Sequence, residues 1–142
     1  MLVNKWSKST IEINASNNKV WDALIKPELV KQYFFGTIVD SDWKVGSTIT
    51  FSGEWEVKKY KDKGEIVEVK EHKYLVYTYW SSLGGTADIP ENYLKVKYDL
   101  ELKDGKTLLT IESENKDEES KNQSENNWNF ILKNLKELVE KE

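Results

Sequence analysis

The chain has 142 residues, a net charge of −4 and 32% charged residues, with six Trp and seven Tyr. That length fits a single domain over residues 1–142, and a chain this rich in aromatic side chains is not a disordered one. The negative charge argues against nucleic acid and anionic membrane surfaces as partners, and the absence of cysteine excludes disulfides, thiolate metal sites and a cysteine nucleophile.

Thr10 to Asn14 alternates, with Ile11 and Ile13 on one face, and predicts a first strand. Ala15-Ser16-Asn17-Asn18 supplies helix-capping residues, and Val20, Trp21, Leu24 and Ile25 follow at helical spacing. Pro27 ends that helix and opens a second, striped by Leu29, Val30, Tyr33 and Phe34 and ended by Gly36. The period then changes to two. Ile49, Phe51, Trp55 and Val57 share one parity of a half-buried strand. Asp62-Lys63-Gly64 reads as a hairpin turn, followed by a strand over 65–70 in which Glu65 shares parity with Val67 and Val69 and is expected to point inward.

Glu71-His72-Lys73 predicts a turn, and Tyr74 to Trp80 a strand apolar on both faces. Ser81 to Asn92 is a long loop containing Gly84-Gly85 and Pro90. In the next strand Leu94, Val96, Tyr98, Leu100 and Leu102 face one way and five charged residues the other. Asp104-Gly105 turns the chain into Thr107 to Ser113, with Leu109 and Ile111 inward. Glu114 to Asn126 is polar and reads as a solvated loop and the first turns of a helix. Trp128, Ile131, Leu132, Leu135, Leu138 and Val139 then recur at spacings of three and four, with Lys133, Lys136, Glu137 and Glu140 on the outer face. A sheet with one apolar face needs a cover, and this helix is the long one available. The fold class is α+β.

Chemistry-bearing patterns are sparse. The single histidine, His72, lies in a predicted turn, and no Gly-x-Ser-x-Gly elbow is present. Glu118-Glu119 and the Asp40/Asp42 pair lack the spacing of a cation loop. Gly84-Gly85 is not a phosphate loop. Glu65, together with Glu54, Glu56 and Asp88 near an opening, leaves acid–base chemistry open in principle. No stretch reaches the roughly 20 apolar residues of a membrane helix, and no signal-peptide core opens the chain, so a cytoplasmic protein is expected.

Four segments together carry a family resemblance. Val20-Trp21-Asp22-Ala23-Leu24 with Pro27-Glu28 and Tyr33-Phe34 resembles the opening signature of the START-like helix-grip superfamily, in its subfamily similar to the activator of Hsp90 ATPase. Lys44-Val45-Gly46-Ser47 with Phe51 and the run Leu75 to Trp80 resemble its second signature and central strand; Asn127-Trp128 with Leu132 and Leu135 resembles its last helix, Asn127 standing where glycine is usual. The resemblance implies a curved antiparallel sheet, two short helices after the first strand, and a long C-terminal helix over the sheet. It also implies a cavity between sheet and helix, with the Gly84-Gly85 loop near its mouth.

The aromatic excess on inward parities favours binding over catalysis. The expected ligand is small and hydrophobic or aromatic, held by Phe51, Trp55, Trp80, Val96 and Tyr98 from the sheet side and by Trp128, Ile131 and Leu135 from the helix. No metal or cofactor is expected, and the chain is read as a monomer or homodimer. Two alternatives come from the resemblance: a protein-interaction module docking on an Hsp90-type chaperone, and a cyclase- or aromatase-like enzyme acting by substrate confinement.

Overall fold

The computed structural model describes residues 5–55, 58–82 and 85–141, with residue 55 described for its backbone alone. Strand β1 (Lys5–Ile13) leads into helices α1 (Asn17–Ile25) and α2 (Pro27–Tyr33). Strands β2 (Ile38–Ser41), β3 (Thr48–Trp55), β4 (Lys58–Lys70), β5 (Tyr74–Tyr79), β6 (Leu94–Lys103) and β7 (Lys106–Asn115) follow, and α3 (Glu118–Glu140) closes the chain. The sheet runs β1-β7-β6-β5-β4-β3-β2, and all its pairings are antiparallel. The first and second strands thus form opposite edges, and α1 and α2 carry the chain across one face from edge to edge. This is the α+β helix-grip arrangement.

Local chemistry accounts for the helix ends. Ser16 caps α1 by accepting from the Lys19 N–H, and Pro27 occupies the first turn of α2, where no N–H is needed. Asp117 caps α3 through the Ser120 N–H at 2.7 Å. Asp104 and Gly105, with φ of 52° and 80°, form the tight β6–β7 turn, whose twist matches the strands.

The core lies between the concave face of the sheet and the three helices. Ile131, Leu132, Leu135 and Val139 of α3 are buried there, against Leu109 and Ile111 of β7 and Tyr98 and Leu100 of β6 among others. Each such side chain contributes about 1.5–3 kcal/mol by leaving water. Beneath α3, β1 presents Ser7 and Ser9, both buried. Ser7 hydrogen-bonds to Ser113 of β7, and Ser124 donates to Asn115 at 2.6 Å, tying α3 to the end of β7.

Several sequence expectations are corrected. β1 begins at Lys5, five residues before the expected start, and β7 continues through Asn115, so Glu114 belongs to a strand. Leu102 is 63% exposed, because β6 outruns the helical cover at its far end. Asp62-Lys63-Gly64 is no turn: it lies inside β4, and the β3–β4 connection falls at residues 56–57, outside the described residues along with Val57. Gly64 is there for a close approach. A Cβ on it would stand 1.6 Å from the Thr78 carbonyl oxygen of β5. Glu65 is exposed rather than inward, with its N–H donated to Thr78 Oγ1 at 3.0 Å. The register of β4 against β5 shifts between Ile66 and Glu68. This bulge leaves Ile66 inward and Val67 outward, and returns Val69 to the core side.

Candidate ligand-binding cavity

The core does not fill the space between sheet and α3. A cavity of about 450 Å³ remains, floored by Phe51, Tyr77, Tyr79 and Val96 of β3, β5 and β6 and roofed by Ser124, Asn127, Trp128 and Ile131 of α3. Phe34, Phe35 and Thr37, just after α2, close one side, and Tyr60, Asp62 and Ser81 another. Asn127 and Phe35 are exposed while Tyr77, Asp62 and Val96 are buried, so the mouth lies between the first half of α3 and the turn after α2.

Aromatic packing shapes the walls. The Phe34 ring meets Trp128 edge-on at 5.9 Å and lies stacked with Phe51 at 6.1 Å. Phe51 continues to Tyr77 and Tyr79, each at 5.6 Å. At the rim Phe35, held at φ 54°, stacks on Phe130 at 5.8 Å with planes 7° apart, and both rings are about half exposed. A left-handed backbone costs a residue with a side chain about 1–2 kcal/mol, and the ring stack lies at that very residue.

Polar groups are few and paired. The Tyr77 and Tyr98 hydroxyls share a hydrogen bond of 2.7 Å, and Thr37 and Tyr60 share one of 2.6 Å. Burial pushes the Tyr77 and Tyr98 phenols well above their usual range. Asp62 is the one charged residue among the described lining, and it is 6% exposed. It accepts from the Tyr79 hydroxyl, from the Ser82 N–H at 2.8 Å and from the Ser82 hydroxyl at 3.1 Å. Burial first, and then the bond to Asp62, raise the Tyr79 phenol far above its ordinary value, so it remains a donor.

Of the residues expected from sequence, Phe51, Val96, Trp128 and Ile131 come together in the wall. Tyr98 and Leu135 lie in the solid core behind it, Tyr98 with its ring edge-on to Trp128 at 5.9 Å. Trp80 stands outside the cavity, stacked on Tyr93 at 6.3 Å and donating to the Ala87 carbonyl at 3.1 Å. The side chain of Trp55 lies outside the described residues, as do Glu56 and Gly84. Asp88 is paired with Lys63 at 2.7 Å and accepts from Tyr93, and Glu54 is exposed; neither lines the cavity. His72 packs against Trp21 at 6.2 Å, away from the cavity. Sequence reasoning missed Asp62 and Tyr79. Taking Asp62 as a turn residue hid its inward parity, which Ile66 on the same strand could have signalled.

Among the described residues no group of three or more His, Asp or Glu side chains could hold a metal ion, and no helix is long and apolar enough to cross a membrane. A curved antiparallel sheet gripping a long helix around an aromatic cavity defines a START-like helix-grip domain. The family model described as activator of Hsp90 ATPase homolog 1-like protein matches residues 14–140, and the chain belongs to that family. Among solved structures, ChR145 from Cytophaga hutchinsonii is 40% identical, with a TM-score of 0.85, over 99% of this chain and 97% of that one. The Aha1 dimer from Colwellia psychrerythraea is 17% identical, with a TM-score of 0.74, over 95% and 96% of the two chains. DynU16, from the dynemicin biosynthetic locus, is 18% identical, with a TM-score of 0.78, over 95% of this chain and 47% of its own. At these last two identities the likeness is one of fold. No curated protein matches the chain in sequence.

Proposed function

We propose that the domain binds a small, largely apolar ligand in the cavity between the sheet and α3. The observation that carries this reading is the cavity itself. Its volume of about 450 Å³ falls inside the range of small-molecule sites, roughly 300–1,000 Å³, and apolar rings with a few placed polar tips are the usual lining of such sites. Filling that space with ring stacks alone would have closed it, as happens around Leu135 and Tyr98. The chaperone-docking and substrate-confining readings draw on family name and fold, which do not determine function.

The test uses N-phenyl-1-naphthylamine, an uncharged aromatic probe whose emission rises in apolar surroundings. Saturable binding is expected, together with quenching of Trp128. Ile131→Trp, which adds a large ring to the roof, is expected to abolish binding while a thermal melt shows the domain still folded. Binding that survives this substitution, or no binding at any soluble concentration, would overturn the reading.

A further inference from the structure

Resting on that ligand-binding reading, the charge of the cavity points to what enters it. Asp62 is nine-tenths buried, and no Lys, Arg or His of the described residues lies within ion-pair distance of it. Its strand neighbours Lys61 and Lys63 point to the other face, where Lys63 meets Asp88 at 2.7 Å. All three of its partners are donors. Two share Oδ1 and one, Tyr79, takes Oδ2. A carboxylate has about four acceptor positions, so one on Oδ2 remains without a donor among the described residues. A buried carboxylate lacking a cation is costly unless something supplies the opposite charge.

The walls beside it are suited to supply the rest of a cation's surroundings. Phe51, Tyr77, Tyr79 and Trp128 line the same space, and the negative faces of aromatic rings attract ammonium groups, more strongly when water is excluded. We infer that the cavity is built for a small organic cation: an ammonium group that donates to Asp62, carried on an aromatic or aliphatic body that fills the ring-lined part. A carboxylate ligand would meet repulsion at the same point. A neutral hydroxyl could donate to the same acceptor but would bring no opposite charge.

Three ligands of one skeleton separate these cases by calorimetry: 2-(2-naphthyl)ethylamine, 2-(2-naphthyl)ethanol and 2-naphthylacetate. The alcohol can donate the same hydrogen bond, so the comparison reads the charge pair itself. Coupling between close charges corresponds to a gain of about 10-fold or more, and the amine is expected to bind at least about 10-fold more tightly than the alcohol, with the acetate weakest. Asp62→Asn is expected to bring amine and alcohol within about 2-fold of each other by removing the charge that attracts the ammonium. Tyr79→Phe keeps the carboxylate and is expected to keep the preference. Should Asp62→Asn fail to fold, the ranking on the unaltered protein and on Tyr79→Phe decides the matter. Alcohol or acetate binding as tightly as the amine, or a preference that persists in Asp62→Asn, refutes the cation and leaves the cavity reading standing. If none of the three binds and the naphthylamine probe fails too, both fall.

Discussion

Replacing Gly64 by alanine adds one methyl group where β4 lies close against the backbone of β5. That carbon would lie 1.6 Å from the Thr78 oxygen and 2.4 Å from its carbonyl carbon. Both are backbone atoms, so no side chain can swing aside. The two strands must separate by well over an ångström at this point. The adjacent bonds cannot follow: Lys63 N–H to Trp80 O at 3.1 Å and Trp80 N–H to Lys63 O at 2.8 Å. Losing each such bond removes about 1 kcal/mol, and groups left unpaired in these half-buried residues add up to about 1–3 kcal/mol apiece. Alanine's better strand propensity returns less than about 1 kcal/mol. The expected destabilisation is therefore about 3–5 kcal/mol, a large fraction of the roughly 5–15 kcal/mol of a whole domain. Urea denaturation followed by circular dichroism reads it directly. With a slope of about 2 kcal/mol per molar, the midpoint should fall by about 1.5–2.5 M. Gly53→Ala is the control. Its Cβ would meet the Tyr60 hydroxyl at 2.6 Å and a ring carbon at 2.9 Å, a side chain that can swing aside at the cost of its bond to Thr37 while the strands stay paired, and the midpoint should shift less. A Gly64→Ala midpoint within about 0.5 M of the parent, at unchanged slope, would refute the account of β4.

The Tyr77–Tyr98 hydroxyl pair calls for a double-mutant cycle: either Tyr→Phe alone leaves one buried hydroxyl without its partner and should cost about 1–3 kcal/mol, while the double substitution should cost less than the sum of the two. Thermal melts of the four proteins check this, and strict additivity would count against it. Acid sensitivity should include the carboxylates at the two ends of α3 as well as Asp88, whose bonds to Lys63 and Tyr93 also lower its pKa. Backbone hydrogen bonds from Ser120 to Asp117 and from Asn14 to Glu140 hold both below the usual carboxylate range. A carboxyl whose folded pKa is depressed contributes stability that is present above its unfolded pKa, about 4, and is lost as pH falls through the folded value. Asp117→Asn keeps a capping oxygen but does not titrate, so its melting temperature should fall less between pH 6 and 3 than that of the parent. Parallel curves would remove Asp117 as a source of acid lability.

Where local pattern and tertiary packing agree, the sequence is easily read. The alternation of Leu94 to Lys103, the Asp104-Gly105 turn, the Ser16 and Pro27 signals and the α3 stripe all appear in the structure. β4 resists reading because two long-range facts govern it. Gly64 answers to Thr78 of another strand, though Asp-Lys-Gly in isolation is good turn chemistry. The bulge before Glu68 breaks the period on which the orientation of Glu65 was judged. The cavity wall is half legible for a related reason. Parity tells that Val96, Tyr98, Ile131 and Leu135 face the interior, as they do. It does not tell where along the interior the packing stops, and that boundary runs between Val96 and Tyr98 on β6 and between Ile131 and Leu135 on α3.

Three consecutive residues of β4 perform unlike tasks: Asp62 faces the cavity, Lys63 anchors the loop carrying Asp88 on the outer face, and Gly64 lets β5 come close. Because side chains alternate with a period of two, sliding β4 by a single position would present a lysine to the interior and turn an acceptor of ammonium groups into a donor. Only a residue without a side chain fits beside the Thr78 carbonyl, so the slid strand meets that obstruction at once. Gly64 thus acts as a detent, and the sign of the charge inside this domain is guarded by an atom that the glycine does not have.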